Sequence, residues 1–118
     1  MSTRIQRLVN KIQREVNVWT TTNGLKARVG DSVDNNRVPT VRQTIRYLNT
    51  QTFTETLAQD LELVYTVLRQ NNLFRKLRRR NNRTDAYDIN ELLTLVNTKV
   101  VKDPGLKSTL GRVIKSVI

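Results

Sequence analysis

The sequence contains no cysteine and no histidine, and only 5% of its 118 residues are aromatic. Without cysteine, disulfides and thiolate nucleophiles are excluded, and without either residue type the usual ligands of a protein zinc site are missing. Histidine is also the commonest general base at neutral pH. We therefore expect no metal, no cofactor, no small-molecule substrate and no enzymatic activity.

Long apolar runs are missing as well, because no stretch approaches the roughly 18 residues that a transmembrane helix needs. The first residues also lack the apolar core and the small-residue cleavage site of a secretory signal. We therefore expect no membrane partner and no export. The scarcity of aromatic side chains further argues against a protein that stacks single-stranded bases on exposed rings.

Positive charge is what the sequence has in excess. Lysine and arginine together number 21 against 10 aspartates and glutamates, which gives a formal net charge of +11. Charge of this size favours a polyanionic partner, and nucleic acid is the commonest one. The length suits a single domain.

Apolar residues recur at helical spacing through most of the chain, and no segment alternates as a strand would, so we predict an all-α fold. The first segment, residues 1–37, contains an amphipathic helix over 3–19 and a linker after it. Ser2 or Thr3 is the candidate cap of this helix. A core follows over 38–98. A C-terminal extension over 99–118 holds a helix that Asp103-Pro104 opens.

Three helices are predicted within the core. A short helix starts at the candidate cap Thr40 and ends at Asn49. A long helix over 53–79 follows, because the spacing from Thr52 to Glu55 is that of a capping box. A third helix begins after a cap at Thr84 or Asp85, with an apolar side formed by Ile89, Leu92, Leu93 and Val96.

The long helix is apolar on two sides, whereas its short neighbours cover only part of it. One stripe consists of Leu57, Leu61, Val64 and Leu68, and a second contains Leu63, Val67 and Phe74. Burying one Leu or Val contributes about 1.5–3 kcal/mol, so we predict that the first stripe forms the interface with a second chain. The alternative is a compact monomer in which the helix over 3–19 covers the second stripe.

Three segments of the chain resemble core histones, most closely the histone 2A type. VPTVR at 38–42 is similar to the Phe-Pro-x-x-Arg opening of the first core helix. RNNRT at 80–84 resembles the basic second loop, and LKSTLGRVI at 106–114 resembles the Leu-x-x-Leu-Leu-Gly-Arg-Val segment after the third helix. The resemblance implies a histone fold, in which a long central helix lies between two short ones, here with added N-terminal and C-terminal helices.

The function that the resemblance implies is DNA packaging. A histone-like subunit pairs with a second histone-like chain and wraps double-stranded DNA in a nucleosome-like particle, in the nucleus as chromatin or inside a virion. The chain departs from the 2A type in two ways. Residues 3–19 look helical where the family has a basic tail, and the acidic cluster that the family uses to dock partners is reduced to Asp103 beside Lys99 and Lys102.

The resemblance also implies DNA contacts at the start of the first core helix and in the two loops. Carried over to this sequence, these residues are Thr40, Arg42, Asn49, Thr50, Gln51, Thr52, Arg80, Arg83 and Thr84. The residues themselves add Arg75, Arg78 and Arg79, in a basic run that also contains Lys76 and within a stretch with no acid from Leu63 to Thr84. Either Arg83 or Arg80 is expected to enter the minor groove. The competing interpretation of this run is a solvated helix end at the negative pole of the helix dipole.

Two further functions remain open at this point. Residues 84–97 and 103–117 are compatible with a helix–turn–helix regulator, although the second segment offers few base-reading side chains. A helical viral protein that recognises duplex RNA by shape is the other. Packaging predicts binding that ignores sequence and weakens steeply with salt.

Overall fold

The computed structural model describes residues 3–22, 39–71, 73 and 88–117, with the backbone alone for Thr21 and Thr22. Over these ranges the chain is helical and contains no strand, which confirms the all-α prediction. The helices are α1 (Arg4–Thr22), α2 (Val41–Thr50), α3 (Glu55–Gln70), α4 (Ile89–Leu95) and α5 (Pro104–Val113), and a π-helical turn, Val96–Val100, continues α4. None of these helices combines the length and apolar character needed to cross a bilayer.

Helix α1 is the predicted amphipathic helix, extended to Thr22. Thr3 caps it: the Thr3 hydroxyl accepts a bond from the Gln6 amide, and the Gln6 side chain accepts one from the Thr3 amide, both at 3.1 Å. The apolar side is fully buried and consists of Ile5, Leu8, Val9, Ile12, Val16 and Trp19. At its C-terminal end the Trp19 ring stacks on the Tyr47 ring of α2, with centroids 4.4 Å apart.

Helices α2 and α3 form an antiparallel pair joined by residues 51–54. Thr40 caps α2 as predicted, in a capping box with Gln43. The capping box predicted from Thr52 to Glu55 is wrong. The residue before α3 is Thr54, and its hydroxyl donates to the Leu48 carbonyl at 2.7 Å, so it ties the connection to the end of α2.

The predicted long helix over 53–79 is wrong in its extent, because α3 ends at Gln70. Asn71 provides the physical reason. Its backbone amide and its side-chain amide both donate to the Val67 carbonyl, at 3.1 and 2.8 Å, and such side-chain bonds compete with continuation of the helix. Residues 74–79 of the predicted helix lie outside the described residues.

The four side chains predicted to face a second chain are buried within this one chain. Leu57, Leu61, Val64 and Leu68 are at most 3% exposed. Helix α1 packs against α3, α5 and the π-helical turn, and α2 covers α3 from another side. Leu63 and Val67 of the second stripe are partly buried against the same core. Burial of these four side chains is therefore achieved within one chain and does not by itself require a second one.

The third core helix begins later than predicted. Asp88 caps α4 by accepting a bond from the Asn90 amide at 2.8 Å, whereas the predicted caps Thr84 and Asp85 lie outside the described residues. An isolated antiparallel bridge between Thr40 and Asp88 joins the start of α4 to the start of α2. Asp103 and Pro104 open α5 as predicted, since the Asp103 carboxylate accepts bonds from two first-turn amides.

Three charged side chains hold the C-terminal segment against the core. The Arg4 guanidinium donates to the carbonyls of Gly111, Ile114 and Val117, and Lys11 donates to the Ser116 carbonyl at 2.8 Å. The Asp60 carboxylate, 2% exposed, accepts bonds from the amides of Lys115 and Ser116. Arg4 and Lys11 lie outside the apolar stripe of α1. Both are half-buried, so their charge serves the fold.

Candidate nucleic-acid interface

Three exposed arginines lie on the outer side of the α2–α3 pair. Arg42 and Arg46 are one turn apart on α2 and so share one face of that helix, and Arg69 is in the last turn of α3. The Tyr65 ring links the two helices, because the guanidinium carbons of Arg42 and Arg69 lie 5.9 and 5.5 Å from its centroid. We call Arg42, Arg46 and Arg69 the arginine face.

The guanidinium groups of the arginine face are available to a ligand. Within the described residues none of the three makes a hydrogen bond or an ion pair, in contrast to Arg4. A cation–π contact at an exposed site contributes only about 0.5–1 kcal/mol, and it leaves the N–H groups of Arg42 and Arg69 unused. Along α3 the acid nearest to Arg69 is Glu62, two turns away. The face can therefore receive an anion through directed N–H donors.

Sequence reasoning identified Arg42 but missed Arg46 and Arg69. The four-residue spacing from Arg42 to Arg46 was visible in the sequence and places both on one helix face. No sequence signal brings Arg69 to them, because that proximity depends on how α2 packs on α3. The Tyr65 side chain is 3% exposed, and its ring contacts both Arg42 and Arg69.

Thr40 lies at the same end of α2 as Arg42, but its polar groups are already engaged. Its amide donates to the Gln43 side chain at 2.9 Å, and its hydroxyl accepts from the Gln43 amide at 3.1 Å. The resemblance implied a DNA contact at Thr40, and free N–H groups at a helix start are able to bind phosphate. The capping box satisfies two of those groups internally.

The predicted contacts in the first loop lie at the opposite end of α2, about 13 Å along the helix. Asn49, Thr50 and Thr52 are exposed, and Gln51 is half-buried. The Thr50 hydroxyl donates to the Tyr47 carbonyl at 2.7 Å. The structure therefore separates Arg42 from these loop residues, and Arg46 lies between them.

The predicted contacts of the basic run, namely Arg75, Arg78, Arg79, Arg80, Arg83 and Thr84, lie outside the described residues. The described residues on either side of the run are close to the arginine face. Leu73 packs against the core shortly after the end of α3, and Asp88 bridges to Thr40 at the start of α2. Asp88 thus lies beside the start of α2, the end that carries Arg42, and Leu73 follows Arg69 by four residues.

In the alternative helix–turn–helix interpretation, α5 would be the recognition helix that enters the major groove. Among its exposed positions Arg112 is the one charged residue, and the others are Pro104, Gly105, Ser108, Thr109 and Val113. The segment after the helix is fixed by Arg4. This surface offers no amide side chain that could bond to a base edge in the major groove.

An open pocket of about 350 Å³ lies between the start of α1 and α5. Its lining consists of Thr3, Arg4, Ile5, Pro104, Lys107, Ser108 and Gly111. No carboxylate lines it. Elsewhere in the described part of the chain no three acidic residues come together as metal ligands.

Comparison with known proteins adds no relative. No family model, no curated protein and no solved structure matches this chain.

Proposed function

We propose that this protein binds double-stranded DNA without reading its sequence and packages it, as a histone-like subunit. The observation that carries the proposal is the arginine face: Arg42, Arg46 and Arg69 are exposed, lie on adjacent helices and are free of hydrogen bonds and ion pairs within the described residues. A protein with a net charge of +11 that leaves such groups unpaired has the requirements of a phosphate-binding surface.

The spacing of these arginines suits a nucleic-acid backbone. Arg42 and Arg46 are separated by about 6 Å along α2. Phosphates of one strand follow one another about every 3.4 Å along the duplex axis, so the two guanidinium groups, on long flexible side chains, can reach phosphates one or two positions apart. Such contacts position a protein on DNA and carry no sequence information. Sequence-independent binding is therefore the mode that this face supports best.

The histone-like part of the proposal depends on the resemblance. Helix α2, the longer α3 and then α4 with its π-helical turn have the short, long, short order that the resemblance implies. Helix α3 is shorter than that plan calls for, and its apolar side chains are covered within the chain. Pairing with a second histone-like chain, and a location in chromatin or a virion, remain predictions from the resemblance alone.

Two matched variants test the proposal. The first removes the arginine face through Arg42→Ala, Arg46→Ala and Arg69→Ala. The control removes three exposed cations from α1, the π-helical turn and α5 through Arg14→Ala, Lys99→Ala and Arg112→Ala, so both variants lose the same charge. Affinity for a duplex DNA of arbitrary sequence is measured by fluorescence anisotropy at fixed salt, after circular dichroism has shown that both variants are folded.

We expect the arginine-face variant to bind at least about 30-fold more weakly than the control, because the loss of even one contact to a charged partner, at about 1.5–3 kcal/mol, weakens binding by about 10-fold to 150-fold. Equal affinities of the two variants would remove the face from the interface. A preference of about 10³-fold or more for one sequence would favour a regulator. Tighter binding to duplex RNA than to DNA would favour the RNA-binding alternative.

Packaging itself is tested by nuclease digestion of DNA reconstituted with the protein and other basic proteins of its source. A protected fragment of discrete length supports a particle that wraps DNA. A continuous smear, together with measurable affinity, would restrict the function to DNA coating. Sedimentation of the protein alone and with those proteins tests the predicted pairing.

A further inference from the structure

Phe53 is the most exposed large apolar side chain in the described part of the chain, at 94% of its full accessibility. It lies at the tip of the connection between α2 and α3, where sequence analysis had predicted the start of a long helix. The side chains around it are polar: Gln51, Thr52 and Thr54 in the connection, and Glu55 at the start of α3. A ring at this exposure is free to pack against a partner, and aromatic side chains dominate the energetics of interfaces.

The connection that carries Phe53 is fixed by its own hydrogen bonds. The Thr54 hydroxyl and the Gln51 amide both donate to the Leu48 carbonyl, at 2.7 and 3.4 Å. The Thr50 hydroxyl donates to the Tyr47 carbonyl. Thr54 is itself buried. Because the residues on both sides are anchored to the end of α2, the ring projects outward from an ordered base.

The surroundings of Phe53 do not suit a protein partner. A stable interface between two chains buries about 800 Å² on each partner, and one aromatic side chain supplies only about 150–250 Å² of that. The other large apolar side chains exposed in the described residues, Val18 and Val113, belong to α1 and α5. Among the described residues, the tip therefore offers no continuous apolar patch that a second copy of the chain could bind.

The surroundings do suit a duplex. Arg42 and Arg46 follow one face of α2 toward the tip, and the exposed Asn49, Thr50 and Thr52 lie beyond them. Basic side chains that bind the backbone, short polar side chains and a single apolar wedge are the combination with which architectural proteins enter the minor groove and unstack one base step. The wedge needs only the space between two base pairs, so one isolated ring is sufficient.

We propose that Phe53 inserts between base pairs of the bound duplex and kinks it. This inference rests on the proposed DNA binding and adds to it a deformation of the DNA. Binding by the arginine face holds the protein on the backbone, and insertion by Phe53 changes the path of the helix axis. The cost of unstacking offsets most of the contact energy of the ring, so the wedge affects DNA shape more than affinity.

The test compares wild type, Phe53→Ala, Phe53→Leu and Val113→Ala, the last as a control at an exposed apolar position elsewhere. Base unstacking is measured by the fluorescence of 2-aminopurine placed centrally in a short duplex. Unwinding is measured by relaxing a closed circular plasmid with topoisomerase while the protein is bound. Affinity for the same duplex and the sedimentation of the free protein are recorded for each variant.

We expect wild type, Phe53→Leu and Val113→Ala to raise the fluorescence and to shift the topoisomers, because leucine also serves as a wedge. Phe53→Ala should lose both effects while its affinity falls by about tenfold or less. Unchanged fluorescence and topoisomers with Phe53→Ala would overturn the wedge and leave the DNA-binding proposal intact. A change in sedimentation without a change in DNA shape would also overturn it, by assigning Phe53 to contacts between chains. Failure of wild type to bind DNA would contradict the proposed function itself.

Discussion

Removing the Asp60 carboxylate is expected to destabilise the fold through a segment far away in the sequence. Asp60 is on α3 and 2% exposed, and its oxygens accept bonds from the amides of Lys115 and Ser116 at 2.6–2.9 Å. In Asp60→Ala those two N–H groups lose their acceptor. The C-terminal segment must then either stay in place with unpaired amides or detach into water.

Both outcomes cost a similar amount of free energy. If the segment stays, two hydrogen bonds to a charged group are lost, at about 1.5–3 kcal/mol each. If it detaches, the amides are hydrated but the burial of Ile114 and Val117 is lost, again at about 1.5–3 kcal/mol for each side chain. We therefore predict that Asp60→Ala lowers the free energy of unfolding by about 3–6 kcal/mol, a large part of the roughly 5–15 kcal/mol of a typical domain.

Urea denaturation followed by circular dichroism measures this loss. The control is Glu62→Ala, which removes an exposed carboxylate from the same helix and should change stability by less than about 0.5 kcal/mol. A chain shortened at Val113 completes a double-mutant cycle, because without the segment Asp60→Ala should have no further cost of this kind. If Asp60→Ala is as stable as Glu62→Ala, or costs as much in the shortened chain, the reasoning is refuted.

Further predictions follow from the core. Leu68→Asp should abolish the helical circular dichroism signal, because it buries an unpaired charge at a position that is 0% exposed. A folded variant that differs from wild type only in sedimentation would instead support the predicted interface between chains. Trp19, the single tryptophan, is 1% exposed, so iodide should hardly quench its fluorescence in the folded protein; efficient quenching would contradict the packing of α1.

Local cap signals in the sequence predicted the starts of α2 and α5 but not those of α3 and α4. Thr40 with Gln43 and Asp103 with Pro104 are short-range arrangements, and both begin helices as expected. The apolar spacing of α1 also identified its buried side. The end of α3 was missed because the apolar spacing seemed to continue past Asn71, whose side chain bonds back to the Val67 carbonyl.

Long-range contacts were beyond the reach of sequence reasoning. The burial of Leu57, Leu61, Val64 and Leu68 depends on which helices fold back over α3, and a stripe of apolar residues looks the same whether its cover comes from its own chain or another. Likewise, Arg4 and Lys11 had the spacing of solvent-facing cations, yet both reach carbonyls about a hundred residues away.

The candidate site was predicted in part. Sequence reasoning identified Arg42 and the exposed loop residues Asn49, Thr50 and Thr52, because a resemblance and a helix start are both readable from short segments. Arg69 joins Arg42 only through the Tyr65 ring, and Phe53 is exposed only because its neighbours fix the connection. Both features depend on the packing of α2 against α3.

The salt dependence of DNA affinity tests the central claim most directly, since each phosphate contact contributes about 0.9 to the slope of log affinity against log salt. With Arg42→Ala, Arg46→Ala and Arg69→Ala combined, the slope should become shallower by about 2 to 3, if each arginine neutralises one phosphate. The control with Arg14→Ala, Lys99→Ala and Arg112→Ala should keep the wild-type slope to within about 1. Equal slopes for the two variants would contradict the account, because the arginine face would then contribute no more than any other surface charge.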